Sequence, residues 1–418
     1  MTVNYPAGYH RLVLDHGLTL VHQQVAAAPV VVVDVWLRAG AGVEPLEWSG
    51  MAHFLEHMVF KGTEQLPPGA FDQVIETQGG ITNAATSHDY AHFFIIVAVD
   101  RLPHTLPYLA DLLLYAAIPE DEFDRERQVV FEEIRQAEDD PDWLGFQAMA
   151  ELVYQDHAYG RPVLGWADQL GQRSPSEMRC FHQAHYQPQN MTVVLSGDLS
   201  LERAVELVSQ AFQTFPATCA CPVAPSHPLP QLQGVRREVL ALPRLELSRL
   251  TMAWLGPGIE AVTGAYGLDL LATVLGQGRR SRLVQELREE RQLVQDITAS
   301  LSLQRDCSLF TVQAWLDRSL VDRVEAIIGD RLSALAQQPI PPAELSRAQR
   351  LLCNDYSFGL ETPSQLAGLY GYYSALGDAD QCFTYVPTIQ GYQATDLQQL
   401  ASQYLTPLHY VSTVLHPA

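Results

Sequence analysis

A proline-rich segment close to the midpoint of the chain limits the folds that this sequence can adopt. Residues Phe215–Pro230 include five prolines and lack any hydrophobic periodicity, which is typical of a linker between domains. The chain has 418 residues, and a single hydrophobic core rarely serves a chain of that length. The sequence therefore predicts an N-terminal domain over residues 1–215, a linker over 216–232 and a C-terminal domain over 233–418.

The segments on the two sides of this linker resemble each other. Ile118–Arg125 and Ile340–Arg347 share isoleucine, proline, glutamate and arginine in the same order and at the same spacing. In the same way, Val33–Gly40 resembles Leu250–Pro257. Two such matches around a midpoint linker indicate an internal duplication.

Hydrophobic patterns in the N-terminal half predict a β-sheet. Tyr9–Asp15 and Leu18–Gln23, joined at His16-Gly17, have the pattern of a β-hairpin. Pro29–Leu37 is a nearly continuous run of apolar residues, which is typical of a strand buried on both faces. We therefore expect a hairpin and a central strand in the first domain.

Two helices are predicted further along this half. The first runs from Gly50 to about Phe60, with Ser49 as its N-terminal cap. The second follows Pro119 and begins with acidic residues, which are favourable at the positive end of a helix. Apolar residues recur along it at helical spacing, and we expect it to end before Pro141.

Charge and composition exclude some classes of function. The chain has 48 acidic and 26 basic residues, giving a formal net charge of −22, whereas a nucleic-acid-binding protein needs a positively charged surface. The N-terminus shows no basic region followed by an apolar run, and the longest apolar stretch, Val25–Trp36, is too short to span a bilayer. We therefore expect a cytoplasmic protein without a membrane span. Its six cysteines are expected to be free thiols.

One short motif, His53-x-x-Glu56-His57, points to a metal site. The two histidines are four residues apart, so on a helix both imidazoles project from one face and can bind one Zn²⁺. Glu56 lies on the same side and is suited to accept a proton from a water molecule at the metal. This order is the inverse of the zincin motif. The motif alone leaves open a helix with two incidental histidines.

Segments outside the motif match signatures of a single family. They are the glycine turn and strand Gly79–Asp89, the segments His157–Pro162 and His185–Asp198, and, in the C-terminal half, Ser281–Gln295. With these segments and the histidine motif, the chain resembles the pitrilysin/insulinase-type zinc metallopeptidases, and within them the mitochondrial-processing-peptidase-like branch. The resemblance covers most of residues 10–200.

The resemblance implies the remaining residues of the metal site. The family has a ligand glutamate at a set distance after the second histidine, and this distance falls on Glu133 here. His53, His57 and Glu133 would then bind one Zn²⁺ per chain. Glu126 matches a further glutamate that the family uses near the metal, and we expect it to contribute to catalysis together with Glu56.

The resemblance also implies residues that contact the substrate. In the family, the edge strand after the glycine turn pairs with the substrate through backbone hydrogen bonds, and Asn83, Ala84 and Ala85 lie in that strand here. Arg288 matches an arginine that reaches the substrate in active single-chain members, although an ordinary salt bridge would equally explain it. Those members have a tyrosine where this chain has Gln295.

The fold implied by the resemblance is α+β, with two pseudo-duplicated domains that each consist of a mixed β-sheet covered by helices and together form a half-clamshell. The implied function is a zinc-dependent endopeptidase that hydrolyses peptides or unfolded, presequence-like segments inside a closed chamber. Because of Gln295, we expect a homodimer or a heterodimer with a non-catalytic homologue that supplies an arginine–tyrosine pair. A non-proteolytic scaffold or assembly subunit of the same fold, and a zinc-dependent hydrolase of another bond, stay open as alternatives.

Overall fold

The computed structural model of the protein describes residues 5–27, 29–225, 228–229 and 231–418. The strands are β1 (Tyr9–Val13), β2 (Thr19–Gln24), β3 (Val30–Leu37), β4 (Ile81–Thr86), β5 (Ala91–Ala98), β6 (Met191–Gly197), β7 (Val235–Leu242), β8 (Ser248–Pro257), β9 (Asp296–Leu303), β10 (Cys307–Leu316) and β11 (Tyr410–Pro417). The α-helices are α1 (Met51–Val59), α2 (Ala70–Thr77), α3 (Leu102–Leu114), α4 (Glu120–Glu138), α5 (Pro141–Tyr154), α6 (Ala167–Leu170), α7 (Pro175–His185), α8 (Leu201–Ala211), α9 (Val262–Gly276), α10 (Val321–Gln337), α11 (Pro342–Phe358), α12 (Pro363–Leu376), α13 (Tyr385–Gly391) and α14 (Ala394–Tyr404).

The chain forms two compact units, each assembled from more than one segment. The first consists of Met1–Arg135, Pro162–Ser226 and Gly359–Phe383, and the second of Gln136–Arg161, His227–Phe358 and Thr384–Ala418. Helix α5, from the first half of the sequence, packs on β11, β7 and β8 of the second unit, while α12, from the second half, packs on β3 and β6 of the first unit. The two units therefore exchange one helix each, a feature that the predicted domain boundaries do not include.

The sheet of the first unit has the strand order β1-β2-β6-β3-β5-β4. Strands β2 and β6 are parallel and the other pairs are antiparallel, so the sheet is mixed. The predicted hairpin is confirmed as β1 and β2, and its turn contains Gly17 with a φ of 94°, a conformation that glycine adopts readily. The predicted central strand is β3, and β4 forms one edge of the sheet.

The sheet of the second unit has the order β7-β11-β8-β10-β9, with β7 and β11 parallel. This arrangement reproduces β2-β6-β3-β5-β4 of the first unit, including the position of the one parallel pair. The repeated order supports the predicted internal duplication. The predicted fold class, α+β with two domains that each contain a mixed sheet, is confirmed.

Strand β3 is apolar at every position except Asp34, because both of its faces are covered. The buried Asp34 carboxylate lies 3.0 Å from His92 Nδ1 on the neighbouring strand. Val31, Val33, Val35 and Leu37 belong to the main hydrophobic cluster of the first unit, together with residues from α1, α3 and α7. On the opposite face, the Trp36 indole lies against Gly371 in α12, where even a Cβ atom would overlap the ring. A strand with this environment needs no polar face.

The two predicted helices are present as α1 and α4, but the predicted cap of α1 is wrong. The Ser49 hydroxyl donates to the carbonyl oxygen of Leu46, at 2.9 Å. The buried carboxylate of Glu44 instead accepts hydrogen bonds from the backbone N–H groups of Gly50 and Ala52, at 3.0 and 2.6 Å. A side-chain carboxyl oxygen that accepts from these N–H groups takes the place of a serine cap.

Each unit contains a buried or partly buried titratable group with a displaced pKa. Burial lowers the pKa of His182 in α7 to about 4, and its Nε2 lies 2.7 Å from the carbonyl oxygen of Leu113. In α9, burial raises the pKa of Asp269 to about 6, even though the Tyr385 hydroxyl donates a hydrogen bond to it. Both groups are therefore expected to be predominantly uncharged at pH 5.

Among the described residues, the segment Ile259–Gly276 is apolar and long enough to cross a membrane by composition alone. Most of this segment is buried within the second unit, where α9 contacts β9, α11 and α14. Such burial is typical of the core helix of a globular domain.

Candidate metal centre

Helix α1 presents the histidine motif on the face that is not part of the hydrophobic core. Its other residues, which are Met51, Ala52, Phe54, Leu55, Met58 and Val59, are buried in the main cluster. His53, Glu56 and His57 are only partly buried, and their i, i+3, i+4 spacing places them on one face. The packing of the apolar face therefore fixes the direction in which the two imidazoles point.

Helix α4 places Glu133 opposite the two histidines. Its Oε2 atom lies 3.7 Å from His53 Nε2 and 3.5 Å from His57 Nε2. These separations are too long for normal hydrogen bonds. A tetrahedral ion with ligand bonds of about 2.0–2.1 Å holds neighbouring ligand atoms about 3.3–3.4 Å apart. The spacing therefore fits one metal ion among the three side chains.

This group stands alone among the described residues. Of the histidine, cysteine, aspartate and glutamate side chains there, only His53, His57 and Glu133 bring three candidate ligand atoms within 4.8 Å of one another. Two imidazoles and one carboxylate are typical ligands of catalytic zinc, which leaves its fourth position for water or substrate. The donor set thus fits the Zn²⁺ that the sequence predicts.

The structure places Glu126 behind His57, on the side away from Glu133. Its Oε1 lies 2.9 Å from His57 Nδ1, and its Oε2 lies 2.6 Å from the ammonium group of Lys61. A carboxylate on the outer nitrogen of a ligand histidine fixes the tautomer and orientation of the ring. The geometry therefore indicates that Glu126 positions His57, which is a different role from the direct catalytic one that the sequence suggests.

The pKa values of the two histidines are displaced in opposite directions. Burial, with a smaller contribution from His57, lowers the pKa of His53 to about 4, so its imidazole is neutral and able to bind a metal. Burial also acts to lower the pKa of His57, but the hydrogen bond to Glu126 and the charges of Glu133, Glu126 and Glu56 outweigh it and raise that pKa. The Nδ1 of His53 is buried and has no hydrogen-bond partner among the described residues.

Glu56 is held by a hydrogen bond from the neighbouring edge strand. The Thr86 hydroxyl, at the end of β4, donates to Glu56 Oε2 at 2.5 Å. Burial raises the pKa of Glu56, and the bond from Thr86 and the charge of His57 partly oppose this. One carboxylate oxygen is thereby fixed by Thr86, so a proton can be accepted at Oε1.

The three residues predicted to contact the substrate lie in β4. Asn83 and Ala85 are exposed, whereas Ala84 packs against the main hydrophobic cluster. Among the described residues this strand pairs with β5 alone, so its other side is an edge that an extended peptide can pair with. There the Ala84 N–H donates to Asn83 Oδ1 at 2.9 Å, a bond that a peptide would have to replace. The predicted edge strand is present, and its last residue, Thr86, contacts Glu56.

Arg288 belongs to the second unit, in a π-helix over Val284–Glu290. Its guanidinium group donates to Glu289 at 3.0 and 3.1 Å and to Asp296 at 2.9 Å. The structure therefore contains the ordinary salt bridge that was the alternative explanation. Contact between Arg288 and a substrate stays a prediction.

Comparisons with known proteins give the family. The model of "Insulinase (Peptidase family M16)" matches residues 19–166, and that of the "Peptidase M16 inactive domain" matches residues 174–352. An uncharacterized zinc protease of Streptomyces coelicolor is 31% identical over 370 residues, which cover 86% of this chain and 79% of that relative. The chain belongs to the M16 (insulinase) peptidase family. The mitochondrial-processing-peptidase-like branch stays a prediction.

A further relative and a solved structure are similar to almost the whole chain. The zinc protease PqqE of Helicobacter pylori is 27% identical over 423 residues, covering 99% of this chain and 94% of that protein. The crystal structure of a protease from Helicobacter pylori superposes with a TM-score of 0.90 at 27% identity, covering 98% of this chain and 99% of that one. The fold of that protease is therefore shared along almost the whole chain.

The family matches agree with the location of the candidate metal centre. His53, Glu56, His57, Glu126 and Glu133 all lie within the segment matched by the insulinase model. The segment matched by the inactive domain includes most of the second unit, whose sequence has no copy of the histidine motif. The candidate metal ligands of this M16 protein thus all lie in the first unit.

Three residues of the site were not identified from the sequence. Lys61 contacts Glu126, Thr86 contacts Glu56, and Glu44 caps α1. Lys61 lies four residues after His57, just beyond the end of α1 at Val59, and this spacing was the one local signal that could have indicated its position. The contacts of Thr86 depend on the packing of α1 against β4.

Proposed function

We propose that this M16 protein is a zinc-dependent endopeptidase. The observation that carries the proposal is the meeting of His53, His57 and Glu133 at the spacing of metal ligands, with the carboxylate of Glu56 on the same helix face. The relatives from Streptomyces coelicolor and Helicobacter pylori are named zinc proteases, which agrees with this proposal.

Each residue of the candidate metal centre has its own proposed role in hydrolysis. When bound, zinc lowers the pKa of water and polarises the carbonyl of the scissile bond. His53, His57 and Glu133 would hold it, and Glu126 would orient His57. Glu56 would accept a proton from the attacking water at its free oxygen and pass it to the leaving amine. Thr86 would keep Glu56 in the required orientation.

The substrate would bind as an extended strand beside β4. Backbone groups of this edge strand would pair with the peptide, and Asn83, Ala84 and Ala85 would line the contact. Pairing through the backbone favours an unfolded segment, because a folded protein seldom offers an isolated extended strand. We therefore propose peptides and unfolded segments as substrates, hydrolysed in a closed chamber.

We also propose that the chain works with a second subunit. Gln295 stands where the family's active single-chain members have a tyrosine, and Arg288 is bound to Glu289 and Asp296. A homologous subunit with an arginine–tyrosine pair would supply the missing groups, and each donor of this kind contributes on the order of 3 kcal/mol to transition-state stabilisation. A purified homodimer that hydrolyses peptides at the full family rate would contradict the need for a different partner.

A pair of substitutions tests the proposed activity. We expect Glu56→Gln to retain zinc and to lose hydrolysis of an unstructured peptide library, measured by mass spectrometry of the products, with and without candidate partner subunits. Glu132→Gln, on an exposed site of α4, makes the same change of charge and is expected to leave cleavage intact. Hydrolysis by the Glu56→Gln variant at the wild-type rate would refute the role of Glu56. A wild-type protein that binds zinc but cleaves nothing in either condition would favour the scaffold alternative.

A further inference from the structure

Two cysteines meet where the segment after α8 lies along α7. The Sγ atoms of Cys180, in α7, and Cys219 are 2.7 Å apart. The Cys180 thiol also lies 3.2 Å from the carbonyl oxygen of Ala220. A third cysteine, Cys221, packs against the main hydrophobic cluster nearby. The sequence separates the first two residues by 39 positions, so the tertiary fold brings them together.

The distance between these two sulfur atoms is close to that of a covalent bond. Sulfur atoms joined in a disulfide are about 2.05 Å apart, so the pair needs to close by less than about 1 Å. Both thiols are partly exposed, whereas Cys307, Cys353 and Cys382 are buried. A small oxidant can therefore reach the pair more readily than it can reach the buried thiols.

The segment after α8 has few polar attachments to the rest of the first unit besides the thiol pair. Residues 217–225 contain no helix or strand, and the hydrogen bonds of this described stretch all involve Cys180, Cys219 or Ala220. A covalent bond at Cys219 would thus fix a stretch that few other contacts hold.

We propose that Cys180 and Cys219 are a redox site that forms a reversible disulfide when the protein meets hydrogen peroxide. This inference does not depend on the proposed peptidase activity. It revises the expectation that all six cysteines act only as free thiols.

The chemistry proceeds in two steps. The Cys219 thiolate attacks hydrogen peroxide, the O–O bond breaks, and Cys219 becomes a sulfenic acid while hydroxide leaves. The Cys180 sulfur then attacks the Cys219 sulfur, the S–O bond breaks, and water leaves with the Cys180 proton. Overall, the two thiols lose two electrons and two protons, and one peroxide becomes two waters. Burial and the neighbouring thiols of Cys219 and Cys221 raise the pKa of the Cys180 thiol to about 12, so Cys180 is disfavoured as the attacking thiolate.

The disulfide is expected to stabilise the first unit. It would close a loop of 39 residues, and closing such a loop restricts the unfolded chain. We expect the unfolding temperature of the oxidised protein to be higher than that of the reduced protein by on the order of 5–10 °C. A reducing agent should reverse the shift.

The test uses the full-length chain, fully reduced and then treated with a mild excess of hydrogen peroxide. Free thiols are alkylated, and the protein is digested and mapped by mass spectrometry, with thermal unfolding followed in parallel. We expect two of the six thiols to disappear first, in a peptide pair linked through Cys180 and Cys219. Cys219→Ser should abolish both the linked pair and the thermal shift. Cys353→Ser, a matched substitution of a buried cysteine in the second unit, should preserve both.

Three results would overturn the proposal. They are a linkage of Cys180 to Cys221 alone, oxidation of Cys219 to sulfinic acid with no crosslink, and loss of all six thiols at one rate. If Cys219→Ser folds poorly, Cys180→Ser is the substitute variant, and it should likewise abolish the linked peptide pair and the thermal shift. The test does not measure peptide hydrolysis. Its result would therefore still decide whether the disulfide forms if the proposed peptidase activity were refuted.

Discussion

The contact between Glu126 and His57 allows a quantitative prediction about metal binding. Replacing Glu126 by glutamine keeps the size of the side chain but removes the charge that faces both His57 Nδ1, at 2.9 Å, and Lys61, at 2.6 Å. An amide has one oxygen to accept and one NH₂ group to donate, so it cannot serve both partners. Either His57 loses its orienting acceptor or Lys61 loses its counter-ion.

The expected loss of zinc affinity follows from the position of Glu126. Removal of a carboxylate on the outer nitrogen of a ligand histidine typically weakens metal binding about 10–100-fold, which corresponds to about 1.4–2.8 kcal/mol. Glu126→Gln should therefore bind zinc more weakly by this factor and still bind it through His53, His57 and Glu133. Hydrolysis should fall at limiting zinc and recover largely at saturating zinc.

A competition titration against a fluorescent zinc chelator measures this effect. Glu132→Gln is the matched control, because it makes the same change on the same helix at an exposed residue whose partner is Arg135. An affinity of Glu126→Gln within about twofold of the control would refute the orienting role, since such a small change lies well below the effect of a carboxylate bound to a ligand histidine.

Three further predictions concern Thr86, His182 and Asp269. Thr86→Val should lower kcat without changing the zinc content. Thr86→Ser should keep kcat close to that of the wild type, because the serine hydroxyl can still donate to Glu56. Equal kcat values for the two variants would contradict this role of Thr86. His182 has a folded-state pKa of about 4, below its unfolded value of about 6.5, so it contributes about 3 kcal/mol of stability above pH 6.5 that is lost as the pH falls toward 4. Denaturant unfolding of His182→Gln should therefore vary less between pH 6.5 and 4 than that of the wild type, and an identical slope would count against the assignment. Asp269 has a raised folded-state pKa of about 6, so its contribution, on the order of 3 kcal/mol, is present below about pH 3.9 and is lost as the pH rises through 6. Asp269→Asn should remove this loss, and an unchanged or steeper loss would contradict the assignment.

The sequence predicts the helices and strands of the first unit well, because the pattern that specifies each one lies within that element. The turn between β1 and β2, the valine run of β3 and the apolar spacing of α4 each have a signal within one segment. The metal ligands on α1 are also local, because their spacing alone puts them on one face. The order of strands in both sheets then agrees with the duplication inferred from short repeated segments.

Contacts between distant segments are the part that the sequence does not reveal. The exchange of α5 and α12 between the units depends on which sheet each helix meets after the chain has turned. The cap of α1 is wrong in the sequence prediction because the carboxylate of Glu44 occupies the position that a serine side chain would take. In the same way, the bond from Thr86 to Glu56 joins residues 30 positions apart. No periodic pattern encodes such a pairing.

The measurement that tests the metal centre most directly is zinc X-ray absorption on the purified, zinc-loaded chain, together with its zinc content. We predict one zinc per chain, with two imidazole nitrogens at about 2.0–2.1 Å and a carboxylate oxygen at about 2.0–2.2 Å, and a loss of most of this zinc in Glu133→Gln. Zinc bound through sulfur at about 2.3 Å, or an unchanged zinc content in Glu133→Gln, would contradict a site formed by His53, His57 and Glu133.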